Sequence, residues 1–194
     1  MNLLHRWLCS SARWKEVVQC HALPWTLDGI DLGAEVLEIG PGYGAATELL
    51  QQRVRNLTCV ESDGTLAERL RLSFSGKVAV RSEDATASSL PDASFDGVVC
   101  FTMLHHVGSV ELQNRVFREV VRLLRPGGIF AGVDSLKSRF MRLTHLFDTL
   151  VIVDPETLPE RLTTAGFERV QVDLNPYAFR FRATKPRAES RPRC

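Results

Sequence analysis

No stretch of the chain approaches the run of about 18 consecutive apolar residues that a membrane-crossing helix needs, so no membrane span is expected. A secretory apolar core is missing too, because Arg6, Arg13, Lys15 and Glu16 interrupt the opening segment. Neither sign of charge is in excess. Twenty-four lysines and arginines face 23 acids, a formal charge of +1, and bulk electrostatics does not call for a nucleic-acid partner. There is no H-E-x-x-H, and the five cysteines, Cys9, Cys20, Cys59, Cys100 and Cys194, form no C-x-x-C pair, so no metal is expected. Scattered thiols in odd number, two of them inside apolar strand-like runs, read as small core residues of a cytoplasmic protein in a reducing compartment. At 194 residues the chain has room for one α/β domain, not for a second of equal size.

What is present is organised around Val36-Leu37-Glu38-Ile39-Gly40-Pro41-Gly42-Tyr43-Gly44-Ala45-Ala46. An apolar β-type run carrying one acid breaks into three alternate glycines and then resumes with the helix formers Thr47-Glu48-Leu49-Leu50. Without a Cβ, glycine adopts positive φ and lets a ligand lie against bare backbone. The helix that follows offers unpaired N–H groups to an anionic or electron-rich group. A nucleotide-like ligand is implied. Gly40-x-Gly42-x-x-Ala45 also satisfies the dinucleotide fingerprint, so a nicotinamide-dependent oxidoreductase stays open at this point.

Residues 3–22 place Leu4, Trp7, Leu8, Trp14, Val17 and Val18 on one helical stripe, a helix that Pro24 would end. This N-terminal unit, residues 1–33, is expected to cover a ligand cleft; a basic helix with tryptophans could also lie on a membrane surface. Strands are expected over about 34–39, Leu57–Val60 ending at Glu61, Lys77–Arg81, Phe95–Phe101 and Ile129–Val133. Helices alternate with them: 44–54, a third segment capped by Asp63 or by a Thr65–Glu68 capping box, and a long amphipathic one halted by Arg125-Pro126-Gly127-Gly128. Strand–helix alternation argues for a parallel sheet covered on both faces. Residues 136–153 look like an insertion, and Pro155–Ala165 a helix closed by Gly166. Phe167–Leu174 and Tyr177–Thr184, separated only by Asn175-Pro176, imply a hairpin with an antiparallel last strand. The tail, 185–194, reads as disordered.

With these pieces in order, residues 34–184 resemble the class I S-adenosylmethionine-dependent methyltransferases, and within them the small-molecule group called methyltransferase type 11. The carriers are Glu38-Ile-Gly-Pro-Gly-Tyr-Gly44, Glu61 after the second strand, Asp84-Ala85 after the third, Leu90-Pro-Asp-Ala-Ser-Phe-Asp96, Leu104-His-His-Val107 and Leu124-Arg-Pro-Gly-Gly128. The resemblance implies an α/β, Rossmann-like fold with a seven-stranded, mostly parallel sheet, an antiparallel C-terminal strand and helices on both faces. It implies S-adenosyl-L-methionine as cofactor. Gly40, Gly42 and Gly44 would admit its methionine part, Glu38 would meet the ammonium end, and Glu61 both ribose hydroxyls. Asp84 would accept from the adenine amino group and the Ala85 N–H would serve a ring nitrogen, with Tyr43, Ser62 and Thr102 among the remaining contacts.

Each assignment has an ordinary structural counterpart, since carboxylates after strands commonly cap helices. Glu38 is the telling residue, because an acid inside an apolar central strand costs free energy unless something pairs with it. Methyl transfer needs chiefly an in-line nucleophile close to the methyl group, and a base only if the acceptor must lose a proton. His105 and His106 are the candidates for that base, with a packing role as the alternative; His145 and Asp148 are weaker ones. The acceptor is expected to be a moderately apolar small molecule, with or without an anionic group, met by Trp7, Trp14, Phe140, Met141, Leu143, Leu146 and Phe147 with Arg139 and Arg142 nearby. A methyltransferase fold that binds the cofactor without turnover is the other reading. The oligomeric state cannot be read from the residues.

Overall fold

The structure is a computed structural model that describes residues 3–146 and 148–187, with the side chains of Leu3, Leu4 and Phe140 left out. Phe147, those side chains, and the tail from residue 188 lie outside the described residues. Seven strands form one sheet in the order β3-β2-β1-β4-β5-β7-β6. They are β1 (Glu35–Ile39), β2 (Asn56–Glu61), β3 (Val78–Ser82), β4 (Phe95–Phe101), β5 (Leu124–Ser135), β6 (Glu168–Leu174) and β7 (Ala178–Thr184). The first five pair in parallel, and β7 runs antiparallel to both β5 and β6. The Asn175-Pro176 break therefore turns the chain back on itself, as the hairpin spacing predicts.

Eight α-helices surround the sheet among the described residues: α1 (Leu3–Cys9), α2 (Ala12–Val17), α3 (Leu23–Thr26), α4 (Thr47–Arg53), α5 (Gly64–Phe74), α6 (Val110–Leu123), α7 (Arg139–Thr144) and α8 (Leu158–Ala165). Strand side chains alternate faces, and the alternation sorts the core in two. Leu37, Ile39, Val98, Cys100 and Phe130 pack with Val116, Phe117 and Val120 of α6 and Leu158 and Leu162 of α8. Val36, Val99, Ala131 and Val133 pack with Leu50 of α4 and with Val18 and Leu23 from the N-terminal segment. Glu38 shares the parity of Val36, so its carboxyl enters the α4 side of the sheet.

Several expectations are corrected. The single helix over 3–22 is broken: α1 stops at Cys9, Ser11 caps α2 by accepting from the Trp14 N–H, and a π-helical turn spans Val18–Ala22. Pro24 opens α3 instead of ending a helix, since its missing N–H is harmless in a first turn. Asp63, accepting from the Thr65 and Leu66 N–H groups, is the cap of α5, and no Thr65 box forms. Arg125-Pro126-Gly127-Gly128 lies inside β5, where the register shifts between Phe95 and Gly97 on β4 and Gly127 has a φ of +82°. The helix ends earlier, at Leu123, because Leu124 already pairs with Phe95. The α8 helix begins at Leu158, not Pro155. Lys185, assigned to the tail, is tied down: its N–H donates to Gly128 O and its Nζ to Leu124 O.

Two further ties position the working end of the sheet. Asp96 accepts from the Ala34 and Glu35 N–H groups and from Arg125, which fixes where β1 starts. Gln113, fully buried, donates to the carbonyls of Leu104 and Val151, and the Val151 N–H donates to His105 O. The insertion is thereby held against the loop after β4.

Candidate cofactor and acceptor cleft

A cavity of about 580 Å³ opens at the carboxyl ends of the parallel strands, where open α/β sheets bind ligands. Its floor is the Gly turn. Gly40, Gly42 and Gly44 have φ of +63°, +57° and +80°. At Gly40 a Cβ would stand 3.0 Å from Met103, so glycine lets the β1 and β4 loops approach; at Gly42 it would meet nothing within 4 Å, and only the dihedral demands glycine. Glu38, Gly40, Gly42, Tyr43, Glu61, Ser62, Asp84, Ala85 and Thr102 all line the cavity, and Gly44 does not. Gly44 is a packing position, where a Cβ would press on Leu70 and Phe74 of α5.

Glu38 is 1% exposed. Its Oε2 accepts from the Thr47 hydroxyl at 2.6 Å, with the Cys59 thiol at 3.6 Å, and no cation pairs with it among the described residues. Burial pushes its carboxyl up to about 7, against the two hydrogen bonds, which pull it down. Glu61, at the tip of β2, accepts from the Gly42 N–H through one oxygen and from the Asp63 N–H through the other, both at 3.0 Å. It clamps the Gly turn to the loop that starts α5, and a carboxylate so placed keeps further lone pairs for hydroxyl donors. Asp84 is exposed and accepts from the Thr86 N–H. Thr102 has a φ of +51°, an uncommon backbone state for a β-branched residue, at the mouth of the cleft.

The residues expected to meet an acceptor are mostly elsewhere. Trp14 lines the cavity; Met141 is buried outside it, and Trp7, Leu143, Leu146, Arg139 and Arg142 are exposed. Cys9, Val18, Val107, Gly108, Leu112, Asp148 and Thr149 complete the wall instead. They come from four separated segments, so no local motif marks them.

The two catalytic candidates part company. His106 lines the cavity and His105 does not. Asp134 of β5 accepts from both the His105 backbone N–H, at 3.1 Å, and its Nδ1, at 2.5 Å, and fixes the ring behind the wall. His106 sits among the rings of His5, His105 and His145, with centroids 4.2–5.1 Å away. Burial, then the neighbouring imidazoles, push it down to about 2, so it is neutral and a weak proton acceptor.

The methyltransferase domain family matches residues 37–132, the span from within β1 to within β5 that carries the floor of this cleft. The chain belongs to the class I S-adenosylmethionine-dependent methyltransferases. A probable S-adenosylmethionine-dependent methyltransferase of Mycolicibacterium smegmatis is 34% identical over 140 residues, 70% of this chain and 52% of that one. The ubiquinone biosynthesis O-methyltransferase of Pseudomonas fluorescens is 30% identical over 134 residues, 65% of this chain and 56% of that one. The chain thus spans about half the length of these curated relatives. Among solved structures, the YcgJ protein of Bacillus subtilis superposes with a TM-score of 0.74 at 17% identity, covering 88% of this chain and all of that one. The family's cofactor is S-adenosylmethionine, and the nicotinamide reading of the glycines falls away. The residues fit it: a buried acid without a cation is what an ammonium-bearing ligand requires. Among the described residues no helix is long and apolar enough to cross a membrane, and Cys9, Cys20, Cys59 and Cys100 are free thiols.

Proposed function

We propose that the chain transfers a methyl group from S-adenosylmethionine to a small-molecule acceptor held between the N-terminal helices and the 148–149 loop. The observation that carries this reading is Glu38, a buried acid at the floor of the cleft with hydroxyl and thiol neighbours but, among the described residues, no cation paired with it. When bound, the cofactor supplies a sulfonium-activated methyl group. Glu38 would hold its ammonium, the Glu61 oxygens its ribose hydroxyls, and Asp84 with the Ala85 N–H its adenine. Tyr43, Ser62 and Thr102 close the same pocket.

The chain's part in the chemistry is positioning and exclusion of water, which can supply much of the rate of a transfer needing only an in-line approach. Trp14, Val18 and Leu112 offer the acceptor an apolar wall, and His106 and Asp148 a polar one. Neither His105 nor His106 has the setting of a general base, the first because Asp134 holds it out of the cleft, the second because its protonated form is disfavoured. The near-neutral charge and a cleft lined in part by Cys9, Trp14 and Val18 of the N-terminal segment favour a small acceptor, and the likeness to an O-methyltransferase of ubiquinone biosynthesis supports an oxygen as the atom methylated.

Calorimetry with S-adenosylhomocysteine, followed by radiolabelled methyl transfer to phenolic, quinone-like, thiol and fatty acceptors, tests the reading. Saturable binding and labelling of one class is expected. Binding without labelling of any class or of a cell extract points to a non-catalytic cofactor binder; tight NAD binding with no homocysteine-adduct binding overturns the reading altogether.

A further inference from the structure

Beside the cleft, four imidazoles meet that the sequence scatters widely: His5 of α1, His105 and His106 after β4, and His145 after α7. Ring centroids lie 4.1 Å apart for His5 and His145, 4.9 Å for His5 and His106, and 5.1 Å for His106 and His145. In His5, His106 and His145 one ring nitrogen each falls within 4.8 Å of the other two. Hydrogen bonds decide which nitrogens carry protons. His145 Nδ1 lies 2.8 Å from Met141 O, and a carbonyl only accepts, so the proton is on Nδ1 and the lone pair on Nε2. That Nε2 belongs to a residue 7% exposed and has no hydrogen-bond partner among the described residues. His5 Nδ1 faces the Asp148 carboxylate at 3.2 Å, the second such orientation. A ring held by a carbonyl on one nitrogen with its other nitrogen unmet, as in His145, is how proteins set an imidazole to ligate a metal. A buried, unmet lone pair has a cost that a hydrogen-bonded packing cluster would not carry.

We propose that His5, His106 and His145 form a three-imidazole site for a divalent metal ion of the zinc class, with its remaining position open toward the cleft. Tetrahedral zinc with Zn–N of about 2.0–2.1 Å requires the three nitrogens to close by roughly 1 Å each, a motion within ring rotation. The ligands arrive from α1, the β4 loop and the insertion, so the ion staples the two coverings of the cleft to the sheet. Resting on the methyltransferase reading, the open position would bind an acceptor's oxygen or sulfur, with the acceptor's proton passing to solvent on coordination, in place of the missing base. Sequence inspection expects no metal because these ligands share no local spacing: His5 and His145 are 140 residues apart by their numbers.

The test uses the full chain, without an affinity tag and stripped of metal, titrated with zinc chloride and separately with cobalt chloride. One ion per chain is expected, with the visible ligand-field bands of nitrogen-ligated cobalt and a raised thermal midpoint. His145→Gln and His106→Gln, checked for folding by circular dichroism, should each weaken binding by roughly 10–100-fold or more, since disturbing even outer contacts of metal sites costs that much. His21→Gln, on the exposed face of the π-helical turn, should leave binding unchanged. No saturable binding to the folded chain, or equal binding by both cluster variants and the native protein, overturns the proposal. Because these readouts need no methyl transfer, a metal-loaded chain without activity would count against the methyltransferase reading alone.

Discussion

Replacing Glu38 by glutamine separates the cost of a buried charge from its use. The ordinary value for this carboxyl is 4.5, and burial raises it to about 7. At about 1.4 kcal/mol for each tenfold change, holding Glu38 ionised inside the fold costs about 3 kcal/mol above pH 7. The sign follows from proton uptake. The folded chain binds the proton more tightly than the unfolded chain, so this stability is whole below about pH 4.5, declines as pH rises toward 7, and stays reduced above. Glutamine is neutral throughout and its amide oxygen can still accept from Thr47. Scanning calorimetry of Glu38→Gln against the native chain should therefore show near-equal midpoints at pH 5. At pH 8 the variant should be more stable by about 1–3 kcal/mol, at about 2–4 °C per kcal/mol for a domain of this length. Binding should move the other way. An ammonium that loses its charged partner forfeits about 1.5–3 kcal/mol, so S-adenosylhomocysteine should bind the variant roughly 10–150-fold more weakly. The native affinity should also rise with pH through about 7 as Glu38 ionises, a rise the variant lacks. A variant destabilised equally at pH 5 and pH 8, with unchanged affinity, would refute the reasoning.

Glu61→Ala frees the Gly42 and Asp63 N–H groups together, and calorimetry should record a loss in S-adenosylhomocysteine affinity of roughly 10-fold or more with a stability cost of about 1–2 kcal/mol. Gly42→Ala introduces no clash but places alanine at a φ of +57°, so thermal denaturation should report a cost of about 1–2 kcal/mol, with cofactor affinity falling as the turn relaxes. Asp134→Asn can satisfy only part of what the carboxylate accepts from His105 and Ser135, and urea unfolding should show a loss of about 1–3 kcal/mol while cofactor affinity, measured at the far side of β4, changes little.

The sheet was legible in the residues because its strands are short apolar runs bounded by glycine, proline and acids, and because the Asn175-Pro176 break leaves no room for a crossover helix. The acids Glu38, Glu61 and Asp84 could be picked out for the same reason: each stands where an apolar strand ends or is interrupted, and period-two alternation fixes its side. The helix ends were less legible. Pro126 and Gly127 have the chemistry of helix stops, yet tertiary pairing of Leu124 with Phe95 ends the helix earlier and puts both residues into a strand. The N-terminal stripe misled in the same way, because Ser11 can cap a second helix as readily as sit within one.

By itself, then, the sequence determined the strand–turn–helix that carries the glycines, the acids within or at the ends of the first three strands, and the reversed last strand, all set by local periodicity and backbone chemistry. Tertiary structure alone decided that Asp134 holds His105 out of the cleft while His106 faces it, that Cys9, Leu112 and Asp148 share a wall, and that His5, His106 and His145 converge. Those are contacts between segments far apart along the chain, fixed by how the helices pack on the two faces of the sheet, and no spacing in the sequence encodes them.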